Sequence, residues 1–326
     1  MTARIRHAIC MGAFYPCADR FVTAGYKPLL TLPEMIALAG KVEGVSGVEM
    51  DFPSMFSDPA TVRPYLANAG LSVSALEIDH YGDAKWRFGA ATSSDPAVRR
   101  ETVALSKAGM DAAAELGAPQ INLWFGHDGW DYPLQADHAA YWERTVDAVR
   151  EIAEYRSDIR VCIEYKPKEP RTHSFIANAG HALLLCEKVG LPNLGVNIDT
   201  GHGLMGWENL AHSAVLCAEH QRLFYFHMND NYRDWDQDMI PGSVHVWETI
   251  ELLYWLSRLE YDGWCSLDIY PYREDAFEAC TESIRNLTAL QQIAEELNGP
   301  EVIAMQQRND AMGLVRLLRR RTLRTA

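Results

Sequence analysis

The sequence predicts an α/β protein of the (β/α)8 kind: eight parallel strands closed into a barrel, followed by a helical tail. Three observations predict it. Eight short apolar runs recur along the 326 residues. Stretches of helical periodicity separate them. The runs are apolar nearly throughout instead of alternating, as in parallel sheets covered on both faces. No G-x-G-x-x-G follows the first run, which sets aside an open, doubly wound sheet.

In order, the runs are His7–Ala13, Gly47–Asp51, Ser72–Leu76, Gln120–Trp124, Arg160–Glu164, Leu194–Asp199, Leu223–His227 and Trp264–Asp268. Each has the length of a buried strand, about 4 to 8 residues. Arg99–Leu116 and Ala139–Tyr155 carry helical spacing between them. Gly117, Gly190 and Gly263 stand just before the fourth, sixth and eighth runs, where helix C-caps are expected. The barrel is assigned to residues 1–295 and the tail to 296–326. From Pro300 onward six arginines (308, 316, 319, 320, 321 and 324) face Glu301 and Asp310. That segment carries +4, so the rest of the net −14 chain carries −18. Leu314, Leu317 and Leu318 share one face there, predicting a helix that packs on its own barrel or on a neighbouring subunit.

Composition narrows the function. At 48% hydrophobic and 23% charged residues the chain is ordinary globular material with enough apolar mass for a core. A surface this acidic repels phosphate backbones, which argues against nucleic acid as a partner and against a nuclease. No run is long enough to span a bilayer, and Met1–His7 has no signal core behind it. The seven cysteines lack C-x-x-C spacing, so the expected location is the reducing cytoplasm.

Chemistry collects at the C-terminal strand ends, where barrels of this kind hold their active sites. Glu164, Asp199, His227 and Asp268 each close a different run and so converge on one point. Buried together they would be ruinous without a cation. Three carboxylates and an imidazole suit Mn²⁺, with Mg²⁺ or Co²⁺ as alternatives. Acidic residues also end the second and third runs, in Glu49-Met50-Asp51 and Glu77-Ile78-Asp79-His80. The run Asp234-Trp235-Asp236-Gln237-Asp238 places alternate carboxylates on one side of an extended loop, to hold a second cation with His202. Lys166 faces the same side as Glu164 and is a donor to a substrate oxygen. Glu164, Lys166, His127 and His202 are the catalytic candidates, His127 as acid or base. Trp124, Trp130, Trp235 and Trp264 offer flat walls for a sugar ring.

The segments IEYKPKEPR (Ile163–Arg171), NIDTGH (Asn197–His202), FHMND (Phe226–Asp230), DWDQD (Asp234–Asp238) and SLDIYPYRED (Ser266–Asp275) resemble the xylose isomerase-like TIM-barrel superfamily across residues 5–295. The EYK…DxGH…HxND order is similar to L-rhamnose isomerases. That resemblance implies one metal on Glu164, Asp199, His227 and Asp268. It implies a second on His202 with Asp234 and Asp236, or with Asp236 and Asp238. Asp268 stands where single-metal ketose 3-epimerases carry Glu. Gly126–Pro133, KPKEPR and PYRED are similar to the α subunits of C-glycoside deglycosidases, which cleave 3-oxo-C-glycosides with a small β subunit. The expected function is therefore metal-dependent proton abstraction beside a sugar carbonyl. Cleavage of a 3-oxo-C-glycoside is its first specific form, and aldose–ketose isomerisation or ketose 3-epimerisation the alternative. The expected partners are a sugar or glycoside, a small β subunit, and further copies of the chain.

Overall fold

A computed structural model describes residues 5–169 and 171–323; Arg324 of the basic tail lies outside them. Eight parallel strands close into a barrel: β1 (Arg6–Cys10), β2 (Val45–Phe52), β3 (Ser72–Ile78), β4 (Gln120–Trp124), β5 (Arg160–Glu164), β6 (Leu194–Asp199), β7 (Leu223–Met228) and β8 (Trp264–Leu267). Each pairs with its neighbours in chain order, and β8 closes onto β1. The (β/α)8 expectation holds. The first run differs, because β1 stops at Cys10 and the chain turns through a short 3-10 helix, Met11–Phe14. Those turn residues are also buried, so apolarity continues past the strand end and hides it.

The outer helices are α1 (Leu32–Ala39), α2 (Arg63–Ala69), α3 (Pro96–Leu116), α4 (His138–Tyr155), α5 (Ala179–Val189), the short α6 (Thr200–Met205), α7 (Leu210–Glu219), α8 (Val246–Arg258) and α9 (Ala276–Leu297). Side-chain caps set several of their starts: Asp95, Asp137 and Asp275 accept backbone N–H groups at the first turns of α3, α4 and α9. Gly117 and Gly190 take the left-handed cap conformation at φ 71° and 77°. Gly263 does not. Helix α8 ends at Arg258, five residues before it, and Glu260 adopts positive φ instead. The Gly263 carbonyl accepts from Arg6 N–H at 3.2 Å, joining β8 to β1.

After α9 come α10 (Pro300–Gln307) and α11 (Ala311–Leu323). Leu317 is buried, and Leu314 and Leu318 pack against the core. Arg321 pairs with Glu296 of α9 at 2.7 Å. Helix α11 therefore lies on its own barrel. Two antiparallel hairpin strands, Lys168–Glu169 and Thr172–Ser174, join Gly129–Trp130 in a small sheet built from the loops after β4 and β5.

Inward-facing residues repeat every second position along the strands. Ala8, Ala75, Cys162, Tyr225 and Trp264 form a small buried cluster. Two residues further along β1, β3, β5 and β7 stand Cys10, Glu77, Glu164 and His227, all lining one cavity. Trp264 is thus a floor residue, beneath Arg6 at 4.4 Å, and not a sugar wall.

One buried histidine links the fold to pH. His80 stacks on Phe125, and burial lowers its imidazole to about 4. The neutral native ring binds protons less readily than the unfolded one at about 6.5. Its contribution is complete above pH 6.5 and is lost as pH falls from there towards 4, by at most about 3 kcal/mol. Urea unfolding at pH 7 and pH 4.5 should show a smaller acid loss for His80→Phe than for the native chain. Equal losses would mean that His80 is not buried neutral.

Candidate metal centre

Glu164, Asp199, His227 and Asp268 offer ligand atoms all within 4.8 Å of one another. The barrel register sets Asp199 beside His227 on adjoining strands. The His227 Nδ1 atom lies 3.3 Å from Glu164 Oε2, 3.9 Å from Asp199 Oδ2 and 3.2 Å from Asp268 Oδ2. It is buried and hydrogen-bonds to none of them. The other ring nitrogen, Nε2, sits 2.9 Å from Glu49 Oε2. Metal-bound histidines have this arrangement: one nitrogen free for the ion and the other held by a carboxylate. The residues fit a divalent cation.

Their neighbours are tied in. Asn229 donates to Asp199 Oδ2 at 2.9 Å, and Asn122 and Asn197 both donate to Glu164 Oε2. Tyr225 donates to Glu49 at 2.5 Å. Burial alone would raise Glu164, but His227 and His202 with the Asn122 amide outweigh it and hold that carboxyl at about 2. Asp199 goes the other way. Burial, with Asp236, Glu164 and Asp268 opposing His202, pushes it up to about 7. Carboxylates that raise one another in this way are short of positive charge.

The cavity above them has a volume of about 240 Å³. Eight carboxylates line it, among them Glu49, Asp51, Glu77, Asp236 and Asp238. The cations on the same lining are Lys166 and, when protonated, His202 and His227. Trp124, Trp235, Tyr81, Tyr270 and Tyr272 supply aromatic wall.

Lys166 lies 2.7 Å from Asp236 Oδ2 and also pairs with Glu169. Burial disfavours its charge, but Asp236 and Glu169 overcome that and keep it protonated. His202 Nε2 is 3.1 Å from the same Asp236 oxygen, and its Nδ1 is 2.9 Å from the Tyr165 carbonyl. Burial would lower this histidine, yet Asp199 and Asp236 raise it to about 9. Asp236 is therefore matched by two cations of the chain itself.

Other expected residues stand elsewhere. Asp234 is exposed and accepts from Gln237 at 2.7 Å, so it does not join His202 and Asp236. Asp238 does line the cavity. His127 is absent from the lining; its Nε2 lies 3.1 Å from the Tyr81 carbonyl. Trp130 stacks on His173 in the small sheet, away from the cavity. Glu49 and Cys10 were not candidates, although both touch His227.

A family model for the xylose isomerase-like TIM barrel matches residues 37–296. The chain belongs to that family. Xylose isomerase of Thermus thermophilus is 28% identical over 216 residues, which cover 64% of this chain and 56% of that protein. The chain thus matches little more than half the length of this relative. An L-ribulose 3-epimerase structure superposes with a TM-score of 0.71 at 16% identity, over 91% of this chain and 99% of that one. The 3-keto-D-glucoside 4-epimerase of E. coli gives 0.69 at 17%, over 87% and 99%. At these identities the two structures speak for a shared fold. Among the described residues no helix is long and apolar enough to cross a membrane.

Proposed function

We propose that this protein is a carbohydrate enzyme that binds one divalent cation, Mn²⁺ first, and removes a proton beside a sugar carbonyl. The chemistry is that of sugar isomerases and epimerases. The observation that carries the reading is the unpartnered His227 Nδ1 facing Glu164, Asp199 and Asp268 at the floor of a carboxylate-rich cavity. A divalent ion supplies Lewis-acid polarisation of a sugar carbonyl and hydroxyl, which acidifies the adjacent C–H.

The chain's own groups do the rest. Asp268 is the most exposed of the four at 20% and takes the proton. Lys166, held charged by Asp236 and Glu169, donates to the oxygen on which negative charge grows. Glu49 fixes the His227 ring. His202 holds Asp236 in place, a positioning part in this reading. One cation is favoured over two because Lys166 and His202 already match Asp236.

C–C cleavage of a 3-oxo-C-glycoside, with this chain as the α subunit beside a small β subunit, is the second reading. Two phenols favour it. Burial, together with nearby carboxylates, keeps Tyr81 and Tyr270 protonated, so either can supply the proton to a departing aromatic carbon in place of His127, which is absent from the lining. The seven buried, unpaired cysteines support a reducing location such as the cytoplasm. Self-association is part of the same proposal.

The test is to strip and reload the protein with Mn²⁺, count ions by elemental analysis, and follow solvent deuterium entering ketoses and 3-oxo-glucosides. One ion per chain with metal-dependent exchange is the expected result. Exchange without bound metal would overturn the reading, and two ions per chain would turn it towards aldose–ketose isomerisation by hydride shift.

A further inference from the structure

We infer that Cys10, Glu49 and the Nε2 atom of His227 form a second metal site, which takes a thiophilic cation of the Zn²⁺ and Cd²⁺ class and competes with the ion of the first. The competition rests on the proposed reading that Mn²⁺ sits on His227 Nδ1; the site itself does not. The three side chains come from β1, β2 and β7 and are buried. One ligand atom of each lies within 4.8 Å of the others. Cys10 Sγ is 3.4 Å from Glu49 Oε2 and 3.9 Å from His227 Nε2, and that oxygen and nitrogen are 2.9 Å apart. An ion bonded at about 2.3 Å to sulfur and about 2.0 Å to nitrogen and oxygen spaces tetrahedral ligands roughly 3.3–3.6 Å apart. The triangle closes on such an ion with shifts of a few tenths of an ångström.

Softness selects the ion. A thiolate favours Zn²⁺ and Cd²⁺ over Mn²⁺ and Mg²⁺, which prefer the carboxylates on the other side of the ring. As the sulfur–metal bond forms, the thiol releases its proton to solvent. The triangle is held from behind: Tyr225 donates to Glu49 Oε2 at 2.5 Å, and its hydroxyl lies 3.0 Å from Ser74 Oγ. Cys10, Glu49 and His227 all line the 240 Å³ cavity, which gives an ion its way in. His227 makes the two sites exclusive. A neutral imidazole has one acceptor nitrogen, so a metal on Nδ1 leaves the proton on Nε2, where Glu49 accepts it. A metal on Nε2 leaves the proton on Nδ1, facing Glu164 at 3.3 Å and Asp268 at 3.2 Å. One ring thus serves either ion and not both. A thiophilic cation inhibits by emptying the first site.

The experiment titrates metal-free and Mn²⁺-loaded protein with Cd²⁺, whose bond to a thiolate absorbs in the ultraviolet. The metal-free protein should show a sulfur-to-cadmium band that saturates at one ion per chain. The loaded protein should develop the same band while releasing its Mn²⁺, followed by the paramagnetic resonance of the free ion. In Cys10→Ser and Cys10→Ala the band should vanish. The Cd²⁺ concentration that releases half the Mn²⁺ should then rise by roughly a hundredfold or more, beyond the effect of losing an outer partner of a ligand. Two variants keep the test alive if one folds poorly. A band that survives both, or Cd²⁺ taken up by the native protein without a band, would overturn the site. Mn²⁺ that stays bound beside a full band would overturn the competition. The metal-free titration needs no Mn²⁺, so a Cys10-dependent band in a chain that fails to hold Mn²⁺ defeats the proposed reading alone.

Discussion

Replacing Glu164 with Gln should remove both metal and turnover, with kcat falling by about three decades or more, the scale of losing a central electrostatic contribution. The amide keeps the shape of the side chain and its contact with Asn122. It cannot offer a charged ligand oxygen 3.3 Å from His227 Nδ1. Two further consequences follow from the geometry. His202 Nδ1 loses a carboxylate at 3.3 Å, so His202 becomes easier to deprotonate. Asp199 loses one of the groups that raise it and becomes the stronger acid. Elemental analysis after reloading should find the variant nearly empty while its circular dichroism matches the native chain. Full Mn²⁺ occupancy in Glu164→Gln would remove Glu164 from the ligand set. Retained turnover without metal would remove the metal from the reaction.

The sequence carried the barrel and the four strand-end residues for the same reason. In a parallel sheet covered on both faces, a charge closing an apolar strand has few places to go except inward and upward. Asp199 and Glu164 close their strands, His227 stands one residue before the end of β7, and Asp268 lies one residue past β8. Glu49 was harder to assign, because it sits inside β2 and its partner is the Nε2 atom of His227. Those residues are 178 apart in sequence, and only barrel closure brings them together. Of the aspartates in the acidic loop, only Asp234 stands away from the cavity, for a different reason. Alternation holds only in extended backbone, and Arg233 and Asp238 take positive φ of 69° and 47°. The chain bends through residues 233–235, and Asp234 is exposed while Asp236 and Asp238 line the cavity. His127 shows the limit of a polar residue after a strand: a turn that puts its ring on the Tyr81 carbonyl is invisible in composition.

Replacing Lys166 with Met should lower kcat by about 10²- to 10³-fold with little change in KM, provided that Lys166 acts on charge that grows in the transition state. The methionine keeps much of the stem, which lies against Trp124 with the ammonium 5.0 Å from the ring. The loss is therefore mostly of charge. Asp236 keeps His202 at 3.1 Å, and Glu169 is partly solvated at 29% exposure. Neither carboxylate is left wholly alone, so the destabilisation should stay below the roughly 3–5 kcal/mol of a fully orphaned buried charge. The variant also separates one cation from two. Asp236, Asp238 and His202 lose their competing ammonium; if they formed a second ion site that Lys166 blocks, it would then fill and Mn²⁺ would rise from one to two per chain. We expect the count to stay at one and turnover to remain low. A second ion with recovered turnover would show that Lys166 stands in for a metal, and would move the reaction to the two-metal isomerases. Unchanged turnover at one ion would take Lys166 out of the chemistry and leave it as the counter-ion of Asp236 alone.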